Sequence, residues 1–290
     1  MLKLAEPLQK AWAGRDIYTI LAHLQGQVYR EKEGRRTFRF ELDGQSYFAK
    51  VYMGIGWKAL LACLLKFRKP IIGAENEWQA IEILPRIGIE TMRIAGYGKQ
   101  GRHPVHRRSF LITEELQPTI SLEDFCLDWK TQPPPPRLKR ALIERVAQIA
   151  RALHTNGMVH RDLYLCHFLL DTAGDIQTPA SPPPRLYLID LHRAEQHRRM
   201  KRRWHIKDVA GLYFSSMDIG LTRQDLLRFI QEYHQRPWRT VLREEGRFWE
   251  KVARRARAGY REYQRKAPLF IGKPVAARPQ SGAADGVRRR

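Results

Sequence analysis

The segment formed by residues 27–52 constrains the fold most, because its pattern predicts three consecutive antiparallel strands. Asp43-Gly44 is a strong signal for a two-residue hairpin turn. Residues 47–52 follow this turn with the alternation of apolar and polar side chains that a half-buried strand shows. Residues 27–30 and 35–40 predict the preceding hairpin. An antiparallel sheet is therefore expected in the first part of the chain.

The rest of the first third adds one helix and two strands to this sheet. The helix is predicted from about Ala74, because apolar side chains recur on one of its faces. Residues 91–96 and 109–116 have patterns typical of strands. The sheet is therefore expected to have five strands.

The second part of the chain is predicted to be mainly helical. Four prolines, residues 133–136, interrupt regular structure, since proline cannot continue a helix or a central strand. An amphipathic helix follows, in which apolar residues recur every three or four positions from Leu138 to Leu153. Asn156-Gly157 is a typical helix end. Further helices are predicted over residues 204–217, 222–234 and 246–266.

These patterns predict an α+β fold with two lobes. Residues 1–116 form the expected N-terminal lobe, and residues 117–272 form the expected helical C-terminal lobe. Residues 273–290 consist mostly of Pro, Gly, Ala and Arg, a composition that predicts a disordered basic tail.

The chain carries a large excess of basic residues. Lys and Arg number 52 and Asp and Glu number 30, which gives a formal net charge of +22. Such a charge attracts polyanions: nucleotide phosphates, an anionic membrane surface, an acidic protein or nucleic acid. No zinc-finger, RNP or helix-turn-helix spacing is present, so a specific nucleic-acid partner is not expected. An acidic protein partner is compatible with the charge alone.

Cysteine content and hydropathy indicate the kind of cellular compartment in which the protein is expected. The three cysteines are far apart and form no Cys-x-x-Cys pair, which argues against a disulfide framework or a cysteine zinc site. A reducing compartment is therefore favoured. The longest apolar run, residues 59–65, is roughly a third of the length that a bilayer span needs. We expect a soluble or peripheral protein.

Four chemically distinctive pieces occur in a meaningful order. Lys50 lies on the third strand, Glu77 on the following helix, His160-Arg161-Asp162 after the amphipathic helix, and Asp190 at the end of an apolar run. Phosphoryl transfer needs a positioned phosphate with its charge neutralised. A strand lysine held by a helix carboxylate can bind phosphates, a loop aspartate can accept a hydroxyl proton, and a second aspartate can bind Mg²⁺.

Longer strings around these pieces resemble one family. Residues 159–168 and 188–193 are similar to the lipopolysaccharide core heptose(I) kinase family, as are Asn76-Glu77-Trp78 and residues 110–116. The resemblance extends from about residue 28 to residue 263. It implies a bilobal protein-kinase-like fold, with the predicted sheet as the nucleotide-binding lobe.

The resemblance also implies a reaction. The enzyme would use ATP to phosphorylate the inner-core heptose I of lipopolysaccharide at its 4-hydroxyl. The reaction would take place at the cytoplasmic face of the inner membrane of a Gram-negative cell. The lipid A acceptor and the anionic membrane surface would be the partners. Implied roles are Asp162 as catalytic base and Asp190 as Mg²⁺ ligand. Nucleotide binding would fall to Lys50, Glu77 and a hinge made of Glu114, Glu115 and Leu116.

The sequence departs from the general protein-kinase pattern in three ways. It has no Gly-x-Gly-x-x-Gly, so the phosphates would be covered by backbone N–H groups or by Arg35 and Arg36. His167 stands where kinases have a metal-binding Asn, and it is a candidate ligand although imidazole prefers softer ions than Mg²⁺. Asp190-Leu191-His192 replaces Asp-Phe-Gly, and no activation-loop phosphorylation site follows it, which favours constitutive activity.

Several of these residues have ordinary alternative roles. Glu77 can be a solvated helix residue, and His160 is better read as a structural hydrogen-bonding residue than as a base. Asp208 either holds the catalytic loop or is an ordinary first-turn helix aspartate. The basic segment, residues 198–203, is a solvated helix face, a nucleic-acid patch or a surface for an anionic acceptor. Residues 57–69 form either a lobe-packing helix or an interfacial one.

Other functions remain open at this point. A kinase-like phosphotransferase could act on a Kdo sugar, a protein tyrosine or a small molecule. A basic nucleic-acid-binding protein without catalysis would explain the charge, but not the order of Lys50, Asp162 and Asp190. A pseudokinase scaffold is the reading that the unusual His167 leaves open.

Overall fold

The computed structural model describes residues 1–32, 34–54, 73–103, 105–174 and 182–266. Two predictions, the helix at residues 57–69 and the disordered tail at residues 273–290, lie outside the described residues.

A six-stranded antiparallel sheet forms the N-terminal lobe, with strand order β1-β5-β6-β4-β3-β2. The strands are β1 Leu2–Leu4, β2 Gln27–Lys32, β3 Arg35–Leu42, β4 Gln45–Tyr52, β5 Ile94–Gln100 and β6 Arg108–Glu114. The predicted hairpin turn is confirmed: Leu42 pairs with Gln45, and Asp43 and Gly44 both have positive φ angles, 52° and 76°.

The sheet differs from the five-stranded prediction at one edge and in several strand boundaries, of which that of β5 differs most. Strand β1 pairs with β5 at that edge and is only three residues long, too short for alternation to be visible in the sequence. Strand β5 begins at Ile94 rather than at residue 91, because Thr91 contacts the other lobe instead: its hydroxyl donates to the Leu188 carbonyl at 2.6 Å.

Helices cover both faces of the sheet. Two short helices that the sequence pattern did not predict, α1 Glu6–Ala11 and α2 Ile17–His23, pack their apolar residues against Phe38 and Phe110. Helix α3, Glu75–Ile83, packs on the other face, where the rings of Trp78 and Tyr97 stack 4.8 Å apart.

Four long helices dominate the C-terminal lobe: α5 Pro136–Thr155, α6 Arg202–Ser215, α7 Arg223–His234 and α8 Trp238–Lys266, after a short α4 Leu122–Phe125. Helix α5 includes Pro136, contrary to the prediction that all four prolines lie outside it. Proline is tolerated at the first helical position because the N–H it lacks would have no partner there. Helix α8 begins at Trp238, well before the predicted Gly246.

Short strands of the C-terminal lobe carry the loops of the candidate site. Strands β7 Thr119–Ser121, β9 Phe168–Asp171 and β10 Leu186–Leu188 form one antiparallel sheet, and β8 Met158–Val159 pairs with β11 Glu195–Gln196. Among the described residues, no helix is long and apolar enough to cross a bilayer.

The lobes meet behind the site through backbone contacts. Glu90 forms an isolated β-bridge with Tyr187, and its carbonyl accepts from the N–H of Leu188 at 2.9 Å. The Arg185 side chain also pairs with Glu90 at 2.5 Å. These contacts fix the position of β10, and therefore of Asp190 just beyond it, relative to the N-terminal sheet. The division of the chain at residue 116 stays a prediction.

Candidate active site

Lys50 and Glu77 form an ion pair between sheet and helix. Strand β4 directs Lys50 toward α3, and its Nζ lies 2.5 Å from Oε1 of Glu77. The Glu77 side chain is 1% exposed, and its Oε2 has no hydrogen-bond partner among the described residues. The solvated alternative for Glu77 is therefore wrong.

Asp190 lies on the other side of Lys50. Its Oδ1 is 3.3 Å from Nζ of Lys50 and 2.7 Å from Nδ1 of His192. The backbone of Asp190 is left-handed, with φ 60°, which turns its carboxylate out of strand β10 and back toward the sheet. Lys50 thus contacts two carboxylates from separate parts of the chain.

The charges of this cluster support one another. Burial disfavours ionisation of Asp190, but the hydrogen bond from His192 and the charge of Lys50 outweigh it, so its pKa lies well below its usual range. Burial likewise opposes the charge on Lys50, yet Glu77 and Asp190 raise its pKa. Both groups are therefore charged at neutral pH.

Asp208, in α6, anchors the loop that carries Asp162. Its two oxygens accept from the backbone N–H groups of His160 and Arg161, each at 2.8 Å. Asp208 is buried in the interior of α6, so the alternative of a first-turn aspartate is wrong. Burial opposes its ionisation, but the His154 hydrogen bond and the neighbouring charges lower its pKa. Arg161 is held with a positive φ of 73°.

His160 has a structural contact. Its Nε2 lies 3.0 Å from the carbonyl oxygen of Ile189, to which it donates, and burial lowers its pKa. The neutral ring thus joins the Asp162 loop to the residue before Asp190. This matches the structural reading of His160 rather than a role as base.

Two basic residues contact Asp162, and the sequence analysis did not identify either. Nη1 of Arg193 lies 2.9 Å from both carboxylate oxygens, and Nζ of Lys207 lies 3.6 Å from Oδ1. Arg193 belongs to the 3₁₀ turn Leu191–Arg193, and Lys207 precedes Asp208 in α6. Only the adjacency of Lys207 to Asp208 offered a signal in the sequence.

His167 joins the two aspartates. Its Nδ1 lies 2.7 Å from the carbonyl oxygen of Asp162 and must carry a proton there, since a carbonyl only accepts. In the neutral ring, Nε2 then has a free lone pair, and it faces Oδ2 of Asp190 at 3.5 Å. A lone pair and a carboxylate oxygen facing each other suit a cation between them.

The donor set fits Mg²⁺ bound jointly with a nucleotide. The described residues contain no group of three or more His, Cys, Asp or Glu side chains that could hold a metal ion alone. Mg²⁺ in proteins is commonly held by one or two carboxylates, with substrate phosphates and water completing its shell. Asp190 supplies the carboxylate, and His167 is the only other residue predicted from the sequence to bind metal.

The predicted hinge lies where the sheet passes into the C-terminal lobe. The N–H of Glu114 donates to Arg93 O at 2.9 Å, and the N–H of Glu115 donates to Ser46 O at 3.0 Å. The Glu115 carboxylate is 2.8 Å from Arg39. The backbone N–H groups of Glu114 and Glu115 are therefore engaged by the protein itself.

The two arginines predicted to cover the phosphates lie on different faces of β3. Arg35 pairs in register with Tyr52 and lies over its ring, 5.2 Å from the centroid, on the face of the sheet that carries Lys50. Arg36 lies over Phe38, whose ring is buried on the opposite face. Only Arg35 is therefore placed to reach the cleft.

Comparisons with known proteins give a consistent result. The sequence profile of the "Lipopolysaccharide kinase (Kdo/WaaP) family" matches residues 20–233. A protein of Pseudomonas aeruginosa named "Lipopolysaccharide core heptose(I) kinase WaaP" is 48% identical over 269 residues, covering 93% of this chain and 99% of that protein. The protein of the same name from Escherichia coli K12 is 48% identical over 242 residues, covering 83% and 90%.

A solved structure resembles this one along most of its length. It is described as "WaaP in complex with acyl carrier protein" and aligns with a TM-score of 0.77 at 45% sequence identity. The alignment covers 90% of this chain and 99% of the other. Similarity at this level confirms the predicted bilobal, protein-kinase-like α+β fold.

Proposed function

The chain belongs to the lipopolysaccharide kinase (Kdo/WaaP) family and is a kinase, and we propose that it phosphorylates heptose I of the lipopolysaccharide core at the 4-hydroxyl, using ATP. The observation that carries this proposal is the convergence of Lys50, Asp162 and Asp190. Lys50 lies 3.3 Å from Asp190, and His167 links Asp190 to the backbone of Asp162. Charged groups 140 positions apart in sequence thus surround one cleft.

Each residue has a defined task in this proposal. Lys50, oriented by Glu77, binds the nucleotide phosphates, and Asp162 accepts the proton of the attacking sugar hydroxyl. The bond from that oxygen to the γ-phosphorus forms while the bond to the β,γ-bridging oxygen breaks. Asp190 and His167 would hold Mg²⁺, which supplies charge neutralisation on the phosphates when it is bound.

Adenine recognition is proposed to use the backbone of the hinge. Since the N–H groups of Glu114 and Glu115 already donate within the protein, the N–H of Leu116 is the donor that we assign to the base. In the next peptide unit, the Leu116 carbonyl accepts from the Thr119 hydroxyl at 2.9 Å, which holds the backbone directly after this donor.

An acyl carrier protein is the proposed protein partner. The related solved structure contains one by description, and the net charge of +22 favours an acidic partner. An apolar cavity of about 280 Å³ lies among α5, α6, α7 and α8, and the exposed Arg257 is one of its lining residues. We propose that this cavity receives the acyl chain. Complex formation should be stronger with the acylated than with the unacylated carrier; equal affinity for both would reject this role of the cavity.

Because the proposed acceptor is a glycolipid, we propose that the protein binds the anionic cytoplasmic face of the inner membrane. Binding to vesicles that contain anionic lipid should fall steeply as salt is raised, because exposed charges are screened. Equal binding to neutral vesicles, or binding that salt does not change, would reject this peripheral association.

The decisive test is transfer from labelled ATP to heptose–Kdo–lipid A. The wild-type protein should label this glycolipid in the presence of Mg²⁺, and Asp162→Asn should abolish labelling while leaving the melting temperature within a few degrees of wild type. Label found on a Kdo sugar without heptose, on tyrosine peptides or on a small molecule, with none on the glycolipid, would overturn the proposed substrate.

A further inference from the structure

Arg193 covers the carboxylate that is assigned as the base. One guanidinium nitrogen lies 2.9 Å from both oxygens of Asp162. The Asp162 side chain is 16% exposed, whereas that of Arg193 is 39% exposed. The base is thus partly shielded from solvent, and the arginine that contacts it is the more accessible of the two.

A carboxylate held in this way is partly blocked as a hydrogen-bond acceptor. A sugar hydroxyl must donate its hydrogen bond to a free oxygen lone pair before its proton can move. Arg193 occupies one position on each oxygen, and Lys207 adds a second positive charge 3.6 Å away. Each oxygen keeps one further lone pair, so departure of Arg193 would free a second one on each oxygen and remove the hydrogen bonds that compete with the sugar hydroxyl.

Lys207 is the cation suited to remain. Its side chain is 20% exposed and belongs to the interior of α6, beside Asp208. Arg193, in contrast, ends a 3₁₀ turn of only three residues, and its side chain is 39% exposed. When Arg193 leaves, Lys207 still lies 3.6 Å from the Asp162 carboxylate and holds its orientation.

We propose that Arg193 is an acceptor-binding residue, which exchanges Asp162 for an oxyanion of the sugar acceptor and thereby uncovers the base. This inference rests on the proposed function, because it names how the same site recognises its substrate. A guanidinium pairs with carboxylate or phosphate through parallel hydrogen bonds. The acceptor offers both, as the sugar-acid carboxylate of Kdo and as the phosphates of lipid A.

The surroundings favour an anionic acceptor at this position. The basic segment, residues 198–203, begins five residues after Arg193 and attracts anions toward it. Arg161 is also near the base, but its guanidinium is paired with Glu195 at 2.8 Å and lies over the Trp204 ring. Arg193 differs because its protein partner is the base itself, so its release is coupled to exposure of Asp162.

The first test needs no acceptor. Hydrolysis of ATP by water should rise about tenfold in Arg193→Ala, because an uncovered Asp162 can activate water; this is a fraction of the roughly 10²–10⁴-fold that a positioned general base contributes. Arg193→Lys should give a smaller rise, since a lysine is a point charge that covers the carboxylate incompletely. Arg140→Ala, at an exposed position of α5, is the control for charge and should match wild type. Hydrolysis that is unchanged in Arg193→Ala would overturn the covering role.

The second test measures transfer to the glycolipid. Arg193→Ala should raise the acceptor KM about tenfold or more, as expected for loss of a hydrogen bond to a charged group, with the ATP KM unchanged. A rise confined to the ATP KM would overturn the proposal and assign Arg193 to the nucleotide phosphates. Thermal unfolding of each variant verifies that it is folded, and Arg193→Gln repeats the measurement if the alanine variant is not.

Modified acceptors identify the anion. With a carboxyl-reduced Kdo acceptor, the acceptor KM of the wild type should rise by about the same factor as it rises in Arg193→Ala with the natural acceptor. In the variant, the reduced acceptor should cause no further rise in KM. The same pattern with dephosphorylated lipid A would assign a phosphate instead. Additive losses with both acceptors would overturn the exchange. If the wild type phosphorylates no heptose acceptor, the proposed function fails, and the hydrolysis test still decides whether Arg193 covers Asp162.

Discussion

Nζ of Lys50 lies 2.5 Å from Oε1 of Glu77, and this ion pair joins the central strand β4 to helix α3. Glu77 is nearly inaccessible to solvent, while Lys50 retains 18% of its side-chain exposure. The lysine is thus held from the protein side and is open toward the cleft. An orientation of this kind suits a group that must reach a phosphate without moving.

Removing only the lysine should destabilise the fold as well as the activity. Lys50→Met leaves the Glu77 carboxylate buried without a cation, which costs about 3–5 kcal/mol in comparable buried pairs. In Lys50→Met/Glu77→Leu no buried charge remains at α3, so this double variant should recover most of the stability that Lys50→Met loses. Its kinase activity should remain absent. Urea unfolding and glycolipid phosphorylation measure the two effects. A single variant as stable as wild type would show that the pair contributes nothing to the fold.

Arg161 and Glu195 form a contact that should make activity independent of phosphorylation. Their side chains meet at 2.8 Å, where β8 and β11 bring the catalytic loop beside the segment that follows Asp190. A carboxylate already supplies the negative charge that a phosphate would otherwise bring to this arginine. Glu195→Gln should lower kcat about tenfold, the scale of one charged hydrogen bond.

The matched control and the mass of the protein complete this test. Glu244→Gln removes the carboxylate from an exposed pair with Arg236 and should leave kcat unchanged. The active wild-type protein should carry no phosphate by intact mass. Loss of activity on phosphatase treatment would contradict this prediction.

Stability should fall as the pH drops below neutral, partly because of His205. Its ring stacks on His154 at 4.4 Å, and its Nε2 has no partner within the described chain. Burial, followed by repulsion from His154, lowers its pKa from 6.5 to about 4. Between these values the unfolded chain binds the proton more readily, so the folded state loses stability as pH falls through this window and the loss levels off below about 4.

Replacement of the His205 ring should reduce the pH dependence of the free energy of unfolding. His205→Gln should lose less stability than wild type between pH 7.5 and pH 5, by on the order of 1 kcal/mol, since partial exposure weakens the effect. His160 and His234, whose pKa values burial also lowers, remain as a background slope. His23→Gln, at an exposed position, is the control. If His205→Gln loses as much stability between pH 7.5 and pH 5 as the wild type does, the assignment to His205 is wrong.

The sequence predicted the parts of the site that lie on regular elements. Lys50 is on a strand that follows an unambiguous turn, and Glu77 is on a helix whose buried side is fixed by Trp78, so their meeting followed from the order of the elements. The string around Asp162 was specific enough to indicate the family. These predictions depended on local pattern, which a single sequence displays directly.

The missed residues depend on tertiary packing instead. Arg193 and Lys207 reach Asp162 only because β11 pairs with β8 and because α6 packs beneath the loop. No spacing rule links residues so far apart. The helices α1 and α2 are six and seven residues long, too short for an amphipathic period to stand out in the sequence. Their stability comes from packing on the sheet.

Gly211 lets α6 approach the catalytic loop, and its replacement should impair catalysis more than folding. A Cβ at this position would lie 2.7 Å from the backbone carbonyl oxygen of Leu163, the residue directly after Asp162. The loop must therefore shift in Gly211→Ala, at a cost of about 1–3 kcal/mol typical of overpacking, and Asp162, the proposed proton acceptor, is displaced. Gly246→Ala is the matched control, because its Cβ would meet no atom within 4 Å among the described residues and it lies inside α8. That variant should gain about 0.5–1 kcal/mol from helix propensity and keep full activity. Urea unfolding and kcat for glycolipid phosphorylation compare the two variants, and equal kcat values would show that the close approach at Gly211 does not position Asp162.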